Sequence, residues 1–351
     1  MYTCLKFLLC VLCAKSWQLR AQDSLYTQIN KAAYDCFVTA KLPGLMVATA
    51  KNGEQKFFTC GYADVASKQP FTWDTRFEAA SITKTFTAFV LEKVLAEGRI
   101  ADTASIISFL PDSVQGNKNL RSIAFLSLLN HTSGLPRLPS NFAPQNAAQP
   151  YADYGVSKLF AYLKTYVPKP DGKTSYSNTG AALAGVLAQR LSGKSFDALL
   201  QQYVFRPFGI TLEDGAKTPA ATGYNKNNPV PWWQWDAFAP TGGLQCNAQQ
   251  LLQYAVYMST PTHEKDAAFI RNFLQPTIRI HETLQVARGW HVLQEKNKPA
   301  VYWHNGGTYG FSTFVAFVPG TGTAVVVVGN SFDANAAVDN LGFDVLDKLL
   351  H

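Results

Sequence analysis

Apolar residues recur at Leu25, Ile29, Ala32, Ala33, Cys36 and Phe37, three or four positions apart. That spacing predicts an amphipathic helix over Ser24–Ala40, stopped by Pro43-Gly44. Two runs with strand character follow, Leu45–Ala50 and Lys56–Tyr62, and the Asn52-Gly53 pair between them is a hairpin signal. From Ser81 to about Ile270 the period becomes mostly helical. Helices are predicted over Ile82–Ala96 (closed by Gly98), Tyr154–Tyr166, Thr179–Leu191 and Ala248–Met258, with Pro-rich loops at Leu135–Pro150 and Pro229–Pro240. Strand patterns return at Gln285–Leu293, Ala300–His304, Phe311–Val318 and Thr323–Gly329. A last helix is predicted from Asn335 to Leu350.

This order implies an α/β (α+β) fold. The two ends of the chain must build one antiparallel sheet, flanked by the N- and C-terminal helices and interrupted by a large all-helical insertion. The expected division is residues 22–80 with 271–351 for the sheet domain and 81–270 for the insertion. A ligand site is expected in the cleft between them.

Composition narrows the class. Only 16% of the 351 residues are charged and 47% are hydrophobic, which excludes a disordered, charge-rich chain. Aromatic residues such as Trp232, Trp233, Trp235, Phe238, Trp303 and Tyr309 fall in segments expected to flank the cleft. The formal charge of +7 invites a nucleic-acid reading. However, residues 1–21 carry Lys6, Lys15 and Arg20, no acid, and an apolar run from Phe7 to Ala14. That start resembles a secretory signal peptide cleaved near Ala21, and the run is too short to span a bilayer. Without it the charge is +4, with 28 basic and 24 acidic residues, and no basic cluster interleaved with aromatics. The expectation is a secreted or periplasmic monomer with no transmembrane segment and no nucleic-acid partner. Cys36, Cys60 and Cys246 remain after cleavage; a Cys36–Cys60 bridge is possible, and buried free thiols are the simpler reading.

Several chemistries find no support. Gly-x-Ser-x-Gly is absent. His263-Glu264 and His281-Glu282 lack the second His of a metalloprotease signature, and Ser192-Gly193-Lys194-Ser195 lacks the first glycine of a P-loop. No metal and no cofactor are expected.

What remains is Ser81-Ile82-Thr83-Lys84 at a helix start, where residues three apart share a face. A serine hydroxyl needs a nearby base, and a lysine amine serves once burial and the helix's positive end lower its pKa. The Ser81 N–H, free of an intrahelical partner, could form half of an oxyanion hole. By itself the pattern also fits a solvated helix start. Tyr176-Ser177-Asn178 precedes the next helix and reads either as a cap or as a proton-shuttling tyrosine with an amide-binding Asn178. His304-Asn305-Gly306-Gly307 ends a strand. It reads either as a turn or as a strand edge that a substrate approaches, with the Gly307 N–H completing the oxyanion hole.

In this order and spacing the three elements resemble the serine β-lactamase and penicillin-binding-protein superfamily, nearest its class C branch. That branch includes D-aminopeptidases, D-Ala-D-Ala carboxypeptidases and family VIII esterases. Phe77-Glu78-Ala79-Ala80, Leu128 to Pro136, Thr241-Gly242-Gly243-Leu244 and Gly306 to Ser312 extend the likeness over about residues 40 to 330. The resemblance implies that Ser81 is acylated, that Lys84 and Tyr176 manage its proton, and that Asn178 contacts the substrate amide. It implies a cleft-walling role for Tyr224, and substrate contacts from His304, Asn305 and Gly306. His131-Thr132-Ser133-Gly134 looks like a structural loop of the family. One departure stands out: His304 replaces the lysine usual there, and a mostly neutral imidazole weakens carboxylate recognition at that strand. The resemblance therefore implies hydrolysis of a small-molecule or short-peptide substrate, whether β-lactam, D-peptide or ester. A non-catalytic or β-lactam-sensing binder is the alternative of another class.

Overall fold

The computed structural model describes residues 24–211 and 218–351. The expected leader, with Cys4, Cys10 and Cys13, lies outside the described residues.

Helix α1 covers residues 24–39. Strands β1 (Gly44–Lys51) and β2 (Glu54–Gly61) follow, pairing from Gly44↔Gly61 to Lys51↔Glu54. The two residues between them, Asn52 and Gly53, both have positive φ, as a type I′ turn requires. After the short β3 (Phe77–Glu78) the chain enters the helical part, which begins with α2 (Thr83–Glu97) and α3 (Asp112–Gln115). It continues through α4 (Phe125–Leu129), α5 (Val156–Leu163), α6 (Asn178–Ser192) and α7 (Phe196–Leu200). The hairpin β4 (Gly223–Asn225) and β5 (Asn228–Val230) then leads to α8 (Ala239–Gly242) and to β6 (Gln245–Cys246), which pairs with β3. Helices α9 (Ala248–Ser259) and α10 (Glu264–Phe273) close this part.

The remaining strands are β7 (Ile278–Arg279), β8 (Leu284–Val286), β9 (His291–Leu293), β10 (Val301–Gly307), β11 (Ser312–Val318) and β12 (Thr323–Gly329), and α11 (Asn335–Leu350) ends the chain. They join β1 and β2 in one antiparallel sheet of order β2-β1-β12-β11-β10-β9-β8-β7. Both ends of the chain therefore build the sheet, with β1 against β12.

Side-chain alternation sends the two faces into different cores. Ala324, Val326 and Val328 of β12 meet the helical part, whereas Val325 and Val327 pack with Ile29, Val338, Val345 and Leu349 of α1 and α11. With both faces covered, β12 reads as one apolar run rather than an alternating one.

The single strand expected over Gln285–Leu293 is two strands, β8 and β9, joined by a turn in which Ala287 N–H donates to the Trp290 carbonyl at 2.9 Å. Gly289 sits in that turn with φ +75°, and its apolar neighbours mask the break. The helix expected over Tyr154–Tyr166 is shorter, Val156–Leu163. Helix α10 and strand β7 were outside the expected elements. Cys36, Cys60 and Cys246 are free thiols. Among the described residues no helix is long and apolar enough to cross a membrane.

Candidate active site

Ser81 lies in a 3₁₀ turn, Ala80–Ile82, that leads into α2. Ala80, directly before it, is left-handed at φ +51°, a conformation that costs an alanine on the order of 1 kcal/mol. Strand β10 packs closely against this turn. A Cβ on Gly306 would come within 2.6 Å of the Ala79 carbonyl oxygen and 2.8 Å of the Ala80 Cβ, so only glycine lets the strand approach. Gly307, the last residue of β10, is exposed beside it.

One helical turn on, Lys84 is 3% exposed. Its Nζ is hydrogen-bonded to Ser81 Oγ at 2.9 Å and to the Thr241 carbonyl at 2.7 Å, and Thr241 lies on α8. Burial, then the positive charge of Arg137, holds the Lys84 amine well below its usual range. The ring of Tyr176 completes the group, with its centroid 5.0 Å from Lys84 Nζ. Burial pushes the Tyr176 hydroxyl up to about 12, against the pull of a hydrogen bond from Ser81 and of Arg137; Tyr151 nearby adds to the rise. Tyr176 is thus a neutral phenol at ordinary pH, able to pass a proton on but not to act alone as a phenolate.

Ser177 caps α6, accepting the Gly180 N–H at 2.8 Å, so the cap and the tyrosine beside it coexist. Asn178, the first residue of α6, donates its backbone N–H to the Arg137 carbonyl. Its side chain bears on the Tyr151 hydroxyl, while its Oδ1 is buried and has no hydrogen-bond partner among the described residues. An orphaned acceptor here suits a substrate N–H.

Strand alternation divides the His304 segment. Tyr302, His304 and Gly306 face the helical part, and His304 is buried with its ring 6.4 Å from that of Tyr176. Burial, His291 and Lys84 all hold its imidazole well below its usual range, so it is neutral. Asn305 faces the other way: its Nδ2 donates to Asp339 Oδ2 on α11 at 2.6 Å, so its side chain does not join the Ser81 group. Tyr224 is placed apart as well. Its hydroxyl accepts the Val65 N–H at 2.8 Å, and it lines a separate cavity with Phe37, Pro43 and Tyr62.

Of the expected aromatic wall, Trp233, Trp235 and Tyr309 cluster with Tyr151, which stacks on Trp235 at 4.6 Å. Trp303 lies across the sheet, packed on Phe314 and Phe343. Sequence reasoning missed Tyr151, Arg137 and His291. None sits in a motif, and only folding brings them together. Among the described residues no group of three His, Cys, Asp or Glu is arranged to hold a metal.

Comparison with known proteins gives the family. A Beta-lactamase family model matches residues 27–347. The chain is 28% identical to a beta-lactamase of Pseudomonas fluorescens over 340 aligned positions, covering 84% of this chain and 90% of the relative. It is 25% identical to a beta-lactamase of Escherichia coli, covering 88% and 89%. A third relative, named unguisins hydrolase, from Aspergillus campestris, is 24% identical over 93% of this chain and 65% of its own length. With its eight-stranded antiparallel sheet and a family match across nearly its whole length, the chain belongs to the beta-lactamase family.

Proposed function

We propose that the protein is a secreted serine hydrolase of the class C-like branch that works through an acyl-enzyme on Ser81. The observation that carries this reading is the buried Lys84 amine, 2.9 Å from Ser81 Oγ, with Tyr176 against both. Neutral Lys84 takes the Ser81 proton as Oγ bonds to the carbonyl carbon of an amide or ester. The N–H groups of Ser81 and Gly307 meet the developing oxyanion. The C–N or C–O bond then breaks; the leaving atom takes its proton from Tyr176, which Lys84 reprotonates. Water adds to the ester and gives its proton back through Tyr176 to Lys84. Collapse then releases Ser81, which recovers its proton. Export rests on the basic, then apolar, start of the chain.

A second reading, for esters or D-peptides over β-lactams, is favoured by the neutral, buried His304 at the strand wall. One experiment separates these. Purified protein is offered a chromogenic cephalosporin, a fluorescent penicillin and a short-chain nitrophenyl ester, with Ser81→Ala in parallel. Turnover or a stable adduct in the wild type that disappears in Ser81→Ala is the expected result. A Ser81→Ala protein that is still acylated, read by mass spectrometry, overturns the assignment. The substrate turned over fastest decides between lactamase and esterase.

A further inference from the structure

We propose that Arg137, beside Asn178, is the anion-recognition residue of the cleft and binds a carboxylate on the acyl side of the substrate. The inference deepens the acyl-enzyme reading and rests on it. The Arg137 backbone is fixed to the start of α6, its carbonyl accepting the N–H groups of Asn178 at 3.1 Å and Thr179 at 3.3 Å. Its side chain is exposed, and Cζ lies 5.3 Å from the Tyr176 ring centroid. Among the described residues the guanidinium has neither an ion-pair nor a hydrogen-bond partner. Arg288, by contrast, turns inward and is paired with Glu92 and Asp102.

The charge of Arg137 is felt at Lys84, Tyr151 and Tyr176, and no carboxylate perturbs any of these three groups, His131, His291 or His304. Since Lys84 and the three imidazoles are neutral, Arg137 is, among the described residues, the cation whose charge reaches Lys84, Tyr151 and Tyr176. A guanidinium docked on an aromatic ring keeps its N–H fork free for a carboxylate. The cleft has no charge at the strand wall, where His304 stands, and carries one on the helical wall instead.

The alternative is that Arg137 only steadies Tyr176, which would slow every substrate alike. Three esters separate the two: 4-nitrophenyl butyrate, 4-nitrophenyl hydrogen glutarate, whose acyl chain ends in a carboxylate, and 3-carboxy-4-nitrophenyl butyrate, whose carboxylate leaves. The wild type should prefer the glutarate ester over plain butyrate by about ten-fold or more in kcat/KM, as charge-assisted hydrogen bonds allow. Arg137→Gln should abolish that preference, whatever common loss all three esters suffer through Lys84 and Tyr176, and Arg137→Lys should keep part of it. No preference in the wild type, an equal loss on all esters in Arg137→Gln, or a preference for the leaving-group carboxylate overturns the proposal. A wild type inert to all three esters counts against the acyl-enzyme reading instead. Calorimetry with free glutarate and butyrate then reads Arg137 without turnover. Tighter glutarate binding lost in Arg137→Gln sustains the proposal, and equal binding overturns it.

Discussion

His131 grips the chain on both sides of Tyr176. Its carbonyl accepts the Ser175 N–H at 2.8 Å, its Nδ1 accepts the Ser177 N–H at 3.2 Å, and its ring lies 4.6 Å from that of Tyr176. An accepting Nδ1 assigns the ring proton to Nε2. Burial, with Lys84 and His291 nearby, pushes the imidazole down to about 3, so the contact persists across the working pH range. The residue expected to belong to a structural loop is therefore a positioning residue for Tyr176. Its backbone is left-handed at φ +64°, which asparagine tolerates better than most residues. His131→Phe keeps a ring but loses the acceptor; kcat should fall by about 10- to 100-fold with KM nearly unchanged. His131→Asn should retain more of the activity. Steady-state kinetics on one nitrophenyl ester check this, and an unchanged kcat in His131→Phe would contradict it.

The buried amine of Lys84 leaves a mark on stability as well as on rate. Its pKa is lowered in the folded protein, so folding expels a proton that the unfolded chain holds below about 10.4. Stability from this group therefore rises with pH from the folded pKa upward, at about 1.4 kcal/mol per unit until the slope fades within about a unit of the unfolded value. Lys84→Met should remove that slope and all acylation. Urea unfolding at pH 8 and pH 9.5 checks the first part: the difference between wild type and variant must shift toward the wild type at the higher pH. In the wild type kcat/KM should likewise fall as pH drops through the Lys84 pKa, since a protonated amine cannot take the Ser81 proton.

Much of this was legible before folding, because the informative signals were local. Asn52-Gly53 dictates a two-residue hairpin whatever surrounds it, and Ser81 to Lys84 spans one helical turn. The apolar run of β12 announced a strand. Signals that needed the third dimension failed. Asn305 sits one residue from His304, and strand alternation alone sends it to Asp339 across the sheet. Tyr224 lies in a hairpin whose partner, the segment around Asn330, is more than 100 positions away, so its direction was not readable. The two strands within Gln285–Leu293 merged because Ala287 and Trp290 are apolar though they lie in a turn. Arg137 belongs to no helix or strand pattern at all.

Arg288, in that turn, ties the sheet to the helical part. Its guanidinium meets Asp102 Oδ2 at 2.6 Å and 3.0 Å and the Asn272 carbonyl at 3.0 Å, with Glu92 Oε1 at 3.3 Å. Arg288→Met leaves two largely buried carboxylates facing each other and should cost about 3–5 kcal/mol near neutral pH. Glu92 already titrates at about 7, because burial and then Asp102 raise it while Arg288 holds it down. Without the arginine it should stay protonated to still higher pH. The loss should therefore be smaller at pH 5.5 than at pH 8 in urea unfolding, and a pH-independent loss would contradict this account.

Glu78, three residues before Ser81, joins two segments around the site. One carboxylate oxygen accepts the Trp233 N–H and the other the Thr308 hydroxyl, each at 2.8 Å. Burial outweighs these two bonds and raises the carboxyl to about 7. Between pH 4.5 and 7 the folded protein holds a proton that the unfolded chain has lost, so this group favours folding most at low pH. The advantage fades as pH rises to 7, and above it the folded state carries a buried anion at a cost on the order of 3 kcal/mol. Glutamine has the same shape: its Oε1 can accept from Trp233 and its Nε2 can donate to Thr308. Glu78→Gln should therefore match the wild type within about 1 kcal/mol at pH 5 and exceed it by about 2–3 kcal/mol at pH 8. Urea unfolding at the two pH values measures the difference. A constant offset would mean that the Glu78 carboxyl titrates as an ordinary surface group, and that its bonds to Trp233 and Thr308 outweigh the burial that surrounds them.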